Sequence, residues 1–564
     1  MRRYSLKTNF FKKLFNSLCV MPKKSRELHS LEAQLFMYTD VYAKYDWEKA
    51  NEHKLLTTFG FRYQNSDLEE DLAYGFNSPT DDMKSIGSGD ADFEMNDGII
   101  NNWKWMSMYA HAEYAYLNKY LFSASVSMDA SSNFGKDAPG LLRLMNAPLA
   151  PFASLSAAWL MTSEDWMPQV DWLDEAKLRA SLGTSGNDAV STSYQVYKYY
   201  EPASFLGLYG MVRGNIPNTE LQWETAVKRN VGMDLSLLNQ RLNLSLDLFN
   251  NTTNNLLCTK TLPSSAGITT YLTNDGKLNN KGFEVGVQGR ILNGDLKWDM
   301  GLQVSHYKNT LMEYADHRTI TPYAGANILT QEGSPIALFY GYETEGVYAT
   351  QAEAQAAGLQ TEKANGQMAY FGAGDVRFVN QTSGDNIIDS EDMVVIGDPN
   401  PDLYGSITSR WQWKRFSLNA MFNYSLGNDV YNALRYNMEA MSGTINQTAA
   451  VLNRWSYDGH ETSMPRAVYG DPMGNSRFSD RWIEDGSFLK LKTLTLSYQV
   501  PLGENIPLLR GLEVYATGNN LFTVTKYLGY DPESNFSQNP LYYGIDTGAT
   551  PQAASVLFGL RIAL

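Results

Sequence analysis

Apolar and polar residues alternate along most of this chain with a period of two. Leu242, Leu244, Leu246 and Leu248 share one parity while Asn243, Ser245 and Asp247 share the other, which in a pleated strand sends them to opposite faces. Val231, Met233, Leu235 and Leu237 repeat the pattern before Asn239-Gln240, a pair suited to a tight turn because Asn tolerates left-handed backbone. The pattern predicts an antiparallel hairpin over 230–250. Similar hairpins are expected over 31–47 with 54–63, 105–116 with 120–128, and 283–291 with 296–307, the last across the turn signal Asn293-Gly294. Residues 65–102 read as an acidic, Gly- and Asn-rich excursion, and 152–159 and 175–183 as strands bracketing a Trp- and Asp-rich segment.

Trp298, Met300, Leu302 and Val304 alternate with Asp299, Gln303 and Ser305, and Phe416, Leu418, Ala420, Phe422 and Tyr424 with Ser417, Asn419 and Asn423. Leu494, Leu496, Tyr498 and Val500, and then Val556, Phe558, Leu560, Ile562 and Leu564, continue the series. On the order of sixteen such segments emerge, each near the roughly 10 residues with which a tilted strand crosses a bilayer. Their connections alternate between short and long, the span 431–485 being one of the long ones. An outer-membrane barrel keeps its turns minimal on one side and its binding loops on the other. A soluble propeller would instead repeat internally at about 40 to 50 residues.

Composition agrees with this reading. The chain has 564 residues, 43% of them hydrophobic, and a mean hydropathy of −0.35, with no apolar run long enough for a spanning helix. A strand that shows one face to lipid and one to water keeps the average of a soluble protein. Aromatic residues reach 13%, including 35 Tyr and 12 Trp, which suits a girdle at lipid headgroup level. The net charge of −15 argues against nucleic acid as a partner. Cys19 and Cys258 form no framework or metal motif, and the six His stand singly without a catalytic constellation, so an enzyme is not expected. Residues 1–30 form an atypical N-terminal segment whose Lys12 and Lys13 break any signal-peptide core, so it reads as an internal strand of a longer frame. Residues 31–564 are the expected barrel.

Several stretches resemble the SusC/RagA type of TonB-linked outer-membrane transporters of Bacteroidota. They are Asn218 to Thr225 (NTELQWET), Leu262 to Ser265 (LPSS), Asn279 to Glu284 (NNKGFE), Glu332 to Pro335 leading into Phe339 to Tyr342, Gly397 to Asp402 (GDPNPD), Phe488 to Lys492 (FLKLK), and Gly518 to Phe522 (GNNLF) followed by Tyr530 to Pro532. The resemblance implies an all-β fold, a transmembrane antiparallel β-barrel of which roughly 16 of 22 strands are expected here, without the N-terminal plug. It also implies a location in the outer membrane, oligosaccharide or peptide import, and a SusD-like lipoprotein covering the outer side. TonB-ExbB-ExbD would act only if a longer or separate chain supplies plug and TonB box, and this chain alone is expected not to transport. The alternative is a surface glycan-binding or adhesin-like scaffold. The final Leu564 departs from the Phe usual in the family, which bears on assembly.

Two groups of candidate residues follow. Trp166, Trp172, Tyr431, Tyr436, Trp455 and Trp482 lie in or beside the expected loops, where rings stack on sugar faces; the competing role is to pack the loops. Residues 381–392 (QTSGDNIIDSED) resemble a calcium loop of the family, with Ser383, Asp385 and Asp392 as its ligand positions; Gln381 and Ser383 replace charged ligands, so an Asx-rich turn competes with a structural calcium. No other cofactor is expected.

Overall fold

The computed structural model describes residues 3–23, 26–50, 52–76, 95–139, 142–144, 147–168, 170–188, 190, 194–206, 208–382, 384–502, 510–537 and 539–563. Leu564 lies outside them. The fold is all-β: the long strands belong to a 17-stranded sheet, and every register described within it is antiparallel. One member, Leu142–Leu144, is only a three-residue edge piece. The chain divides into two compact units, the first made of Met1–Pro168, Ala176–Gly232 and Phe249–Leu278, the second of Gln169–Glu175, Met233–Leu248 and Asn279–Leu564.

In the first unit a meander runs through Arg3–Lys23, Arg26–Lys49, His53–Phe76, Met95–Tyr116, Tyr120–Ser131, Ala147–Leu160 and Leu173–Asn187. The N-terminal segment is therefore a strand, paired along its length with the next one. Register places Thr57, Ala112, Ala124, Leu155 and Leu182 in one row, and Phe59, Ala110, Val126 and Ala153 in the next. This face is bare. Phe59 is 61% and Leu155 63% exposed, so the apolar rows are not the filling between two stacked sheets. The opposite face is wet and internally bonded: Ser123 meets Ser156 at 2.7 Å, Ser125 meets Ser154 at 2.6 Å, and Ser107 Oγ donates to Asp129 Oδ1 at 2.6 Å.

The apolar face ends, at the short turns, in a row of rings. Trp47 lies 6.4 Å from His53, His53 5.0 Å from Tyr116, and Tyr116 6.2 Å from Tyr120, which pairs with Trp159. Amphipathic rings settle at the boundary of hydrocarbon and water, as the aromatic content suggested. The turns themselves need left-handed backbone: Leu117 and Asn118 close one hairpin, and Leu238, Asn239 and Gln240 close another at φ of 57 to 59°.

The second unit repeats the arrangement through Leu296–Glu313, Leu403–Trp413, Phe416–Leu426, Phe488–Val500, Gly511–Thr525 and Ser555–Ala563. Leu418, Leu496, Ala516 and Phe558 form one apolar row, with Phe558 78% exposed. Trp298 stacks on Trp411 at 4.5 Å and Phe416 lies 4.7 Å from Tyr498, again toward the short turn. Thr495 and Thr517 join hydroxyls at 2.9 Å on the polar side.

One expectation requires correction. Residues 65–102 are not one excursion, because the ladder between His53–Phe76 and Met95–Tyr116 continues from Gln64↔Trp105 up to Tyr74↔Met95. At about 3.3 Å per residue a 24-residue strand far exceeds a hydrocarbon core of about 30 Å, so its acidic end stands in water and needs no apolar face. The Asn293-Gly294 hairpin forms, but neither residue is among those with positive φ, so its turn is not of the type that the dipeptide favours.

If the bare face meets lipid, Leu155→Arg should lower stability by roughly 2–4 kcal/mol in lipid vesicles. Thr58→Arg, on the polar face, should stay within about 0.5 kcal/mol. Equilibrium unfolding of both variants in vesicles provides the comparison.

Candidate functional site

The long connections of the second unit are folded bodies rather than loose loops. Arg318–Tyr323, Ala326–Gln331, Leu338–Gly341 and Val394–Gly397 form a four-stranded sheet over a core of Ile328, Phe339, Tyr431, Phe478 and Trp482. Tyr431 meets Phe478 edge-on at 5.1 Å. A second core gathers Tyr348, Phe371, Val376, Phe378 and Ile388 beside the short helix Gln351–Ala357, whose N-terminus Thr350 caps through Glu353 N. Such bodies bury enough apolar surface to hold one shape, which a binding surface on loops requires.

Charge clamps fix these bodies. Asp375 is fully buried and receives both Nε and Nη2 of Arg466 at 2.8 Å, together with Asn475 Nδ2 at 2.9 Å. Arg435 donates to Glu439 at 2.8 Å and to Glu484 at 2.9 Å. Lys490, buried at the mouth of its strand, donates to Asp531 and to Glu533 at 2.6 Å. Arg481 lies 4.8 Å over the Trp482 ring and donates to Asn475 O; burial pushes its guanidinium down to about 10, and neighbouring Arg435 adds to the effect against Glu439 and Asp480.

The sequence candidates do not come together in one place. Tyr431 and Trp482 are both 0% exposed; the Tyr431 hydroxyl donates to Ala324 O and the Trp482 indole to Arg477 O, so neither ring reaches a ligand. Tyr436 packs edge-on against Trp482 at 5.4 Å, and Trp455 donates to Ala349 O at 2.9 Å with its ring against Gly374. These four pack the bodies. Trp166 and Trp172 are exposed, but at the short-turn end: Lys119 of a neighbouring turn lies 3.6 Å from Glu164, and Leu238 N of another donates to Trp172 O. Trp166 lies 6.2 Å from Trp159 of the ring row. Counting connections, short after long, places 161–172 on that end from sequence alone.

In the resembled calcium loop the carboxylates of Asp385 and Asp392 bond to backbone amides. Asp392 is fully buried, with Oδ1 accepting from the amides of Gln381 and Thr382 and Oδ2 from that of Asp389; Asp385 accepts from Ile387 N. A carboxylate surrounded by amides ties its own loop together, as an Asx-type turn does. Ser383 lies outside the described residues, and among those described no group of three acidic, His or Cys side chains is placed to hold a metal.

Sequence reading passed over the polar face of the strands. In the second unit it carries a groove of about 730 Å³ lined by Ser236, Asn243, Ser245, Gln288, Gln303 and Thr408 together with the acidic Glu175 and Asp234. Gly286 and Gly301 deepen it, since a Cβ at either would lie 2.5 Å from Ser245 Oγ or Thr408 Oγ1. The parity opposite the leucines was the available signal.

Such a sheet, bare and apolar on one side and polar on the other, is the wall of a membrane β-barrel, and comparison with known proteins agrees. Residues 26–521 match the family model "TonB dependent receptor-like, beta-barrel", and the chain belongs to that family of outer-membrane proteins. Its likeness to a SusC receptor is consistent with the SusC/RagA type. TonB-dependent receptor P3 of Formosa agariphila is 29% identical over 90% of this chain and 50% of its own length. TonB-dependent receptor SusC of Bacteroides thetaiotaomicron is 27% identical over 81% and 43%. The RagAB peptide transporter superposes with a TM-score of 0.76 at 21% identity over 100% of this chain and 62% of that chain, which shows a shared fold. The chain spans about half the length of the curated relatives it matches. None of these relatives bears the name of an enzyme.

Two variants separate packing from contact. Trp482→Ala should lower the stability of the outer bodies by about 3–5 kcal/mol, read as lost protease resistance, whereas Trp166→Ala should leave that resistance unchanged. Asp429 gives a pH test. Burial raises its carboxyl above the usual range, and Asp398, Asp485 and Asp402 add to this against the Asp398 amide. With the folded value raised, the native state holds the proton more tightly than the unfolded chain, so stability falls as pH rises through that value. Asp429→Asn keeps an oxygen for Asp398 N and should raise the melting temperature at pH 7 while flattening its fall as pH rises above the usual carboxylate range.

Proposed function

We propose that this chain supplies the wall and outer loops of an outer-membrane importer energised through TonB. A ligand too large for porins, an oligosaccharide or a peptide, is held between the folded loop bodies and a SusD-like surface lipoprotein. It is then released inward along the polar face. TonB-ExbB-ExbD acts through a plug and TonB box, carried by a longer form of the chain or by a separate one. The observation that carries this reading is the pairing of a bare apolar face with a polar, groove-bearing one on the same strands, crowned by loop bodies with cores of their own. A passive scaffold needs the loops but not a grooved, hydrogen-bonded inner wall. The name of the RagAB peptide transporter supports transport, and that of SusC supports dependence on TonB.

Deleting the gene from its native host and following labelled oligosaccharides and labelled peptides tests the proposal. Loss of uptake of one class, restored by the gene in its natural context and abolished by a proton uncoupler, is the expected result. Undiminished uptake of both would return the chain to the adhesin-like scaffold.

A further inference from the structure

The polar face of the first unit holds a cluster that the import reading leaves unused. Two hollows of about 300 Å³ each share Arg62, Trp105 and Asp129 in their walls; Trp103, Asp188 and Trp223 complete the one farther from the short turns. Trp103, Trp105, Ser107 and Tyr109 alternate along Met95–Tyr116 on the parity opposite Met108 and Ala110, so both indoles belong to the polar side. This is the wrong face for a lipid girdle.

The polar groups are set in advance. Trp103 Nε1 and Ser131 Oγ donate to Asp188 Oδ2 at 3.1 and 2.9 Å, and Ser107 holds Asp129. A carboxylate offers about four acceptor positions, so both acids keep capacity for further donors. Arg62 lies 4.7 Å over the Tyr109 ring, and its Nε faces Asp40 Oδ2 at 3.5 Å in an ion pair. Trp223 is anchored beneath by Phe134, 4.8 Å away, and by Phe152.

Flat apolar rings beside fixed acceptors complement a pyranose, which shows a C–H face and a rim of hydroxyls that can donate to those acceptors. Asp40, Asp129 and Asp188 outnumber Arg62, so an anionic ligand is repelled. A peptide bond offers no comparable face with a hydroxyl rim. The volume is at the small end of ligand pockets, roughly 300–1,000 Å³, and takes part of a chain rather than the whole. We infer that the Trp103–Trp105–Asp129–Asp188 cluster is a subsite on the inner wall for neutral oligosaccharides, which rests on the import reading and names its ligand class.

The natural full-length protein, purified from its own outer membrane in detergent, is applied to an array of neutral oligosaccharides and to one of peptides. Oligosaccharide binding is expected, weakened about tenfold by Trp103→Ala, as the loss of one stacking contact of about 1.4 kcal/mol would give. Trp103→Phe, which keeps a ring, should weaken it less, and Trp413→Ala on the lipid side should not. Heat-modifiable migration on gels checks that each variant is folded. Asp188→Asn serves if Trp103→Ala is not. Binding unchanged in folded variants, binding of cationic peptides alone, or no oligosaccharide bound by the natural protein would each overturn the subsite. Uptake separates the two readings: a gene needed for uptake whose Trp103 is irrelevant keeps the importer and loses the subsite, whereas Trp103-dependent binding without any part in uptake does the reverse.

Discussion

Hydrocarbon offers a backbone no hydrogen bonds, so each N–H and C=O that crosses it must be satisfied by another strand. Antiparallel pairing meets that demand residue by residue, as in the unbroken register of the first unit from Lys49↔His53 to Arg26↔Phe76. Once the ladder is fixed, the pleat leaves each side chain only two directions. Leu155 and Ser156 are neighbours in sequence, yet one stands bare on the apolar face and the other shares a hydrogen bond with Ser123. The alternation in the sequence is the same constraint written in side chains.

A ladder that fixes strand ends leaves the connections free to differ. On one side they are reduced to turns where Leu117, Asn118 or Lys414 adopts positive φ. On the other they grow cores and sheets. Water bathes those bodies, so they obey the rules of small soluble domains: aromatic rings go inside, and buried charges stay paired, as Asp375 with Arg466 and Lys490 with Asp531. That is why loop tryptophans are a poor guide to ligand contact here. Trp482 is large and apolar enough that a folded loop places it at the centre.

Periodicity disclosed the hairpins, their short turns and the two faces, because one residue of slip would turn every leucine to the wrong side. It failed where that demand lapses. The acidic end of His53–Phe76 stays in register with nothing to alternate for, since both faces meet water. The hollow around Arg62 was hidden for a different reason: Trp103, Trp105, Asp129 and Asp188 come from three stretches, and only the register brings them together. At Asp392 acceptor spacing alone does not distinguish a cation from a set of amides, and the backbone of its own loop supplies three.

The stretches that carried the family likeness prove to be structural. Lys490 and Lys492 of FLKLK grip Asp531 of the Tyr530 to Pro532 motif and Glu533 just after it, tying a strand to a loop. Asn218 of NTELQWET donates to Leu272 O, while Leu221 and Trp223 are core. Asn400 of GDPNPD joins Asp398 to Ile336 O and accepts from Asn309. Residues of this kind hold a barrel and its loops in shape whatever is carried, so sharing them transmits the fold and is silent about cargo. Selectivity must then come from side chains that the fold does not need. On the polar face these are the ones with spare acceptor capacity, as at Asp129 and Asp188, and the amides and hydroxyls of the groove that holds Ser245 and Thr408. Because the ladder is carried by backbone, such positions can change without loosening a strand.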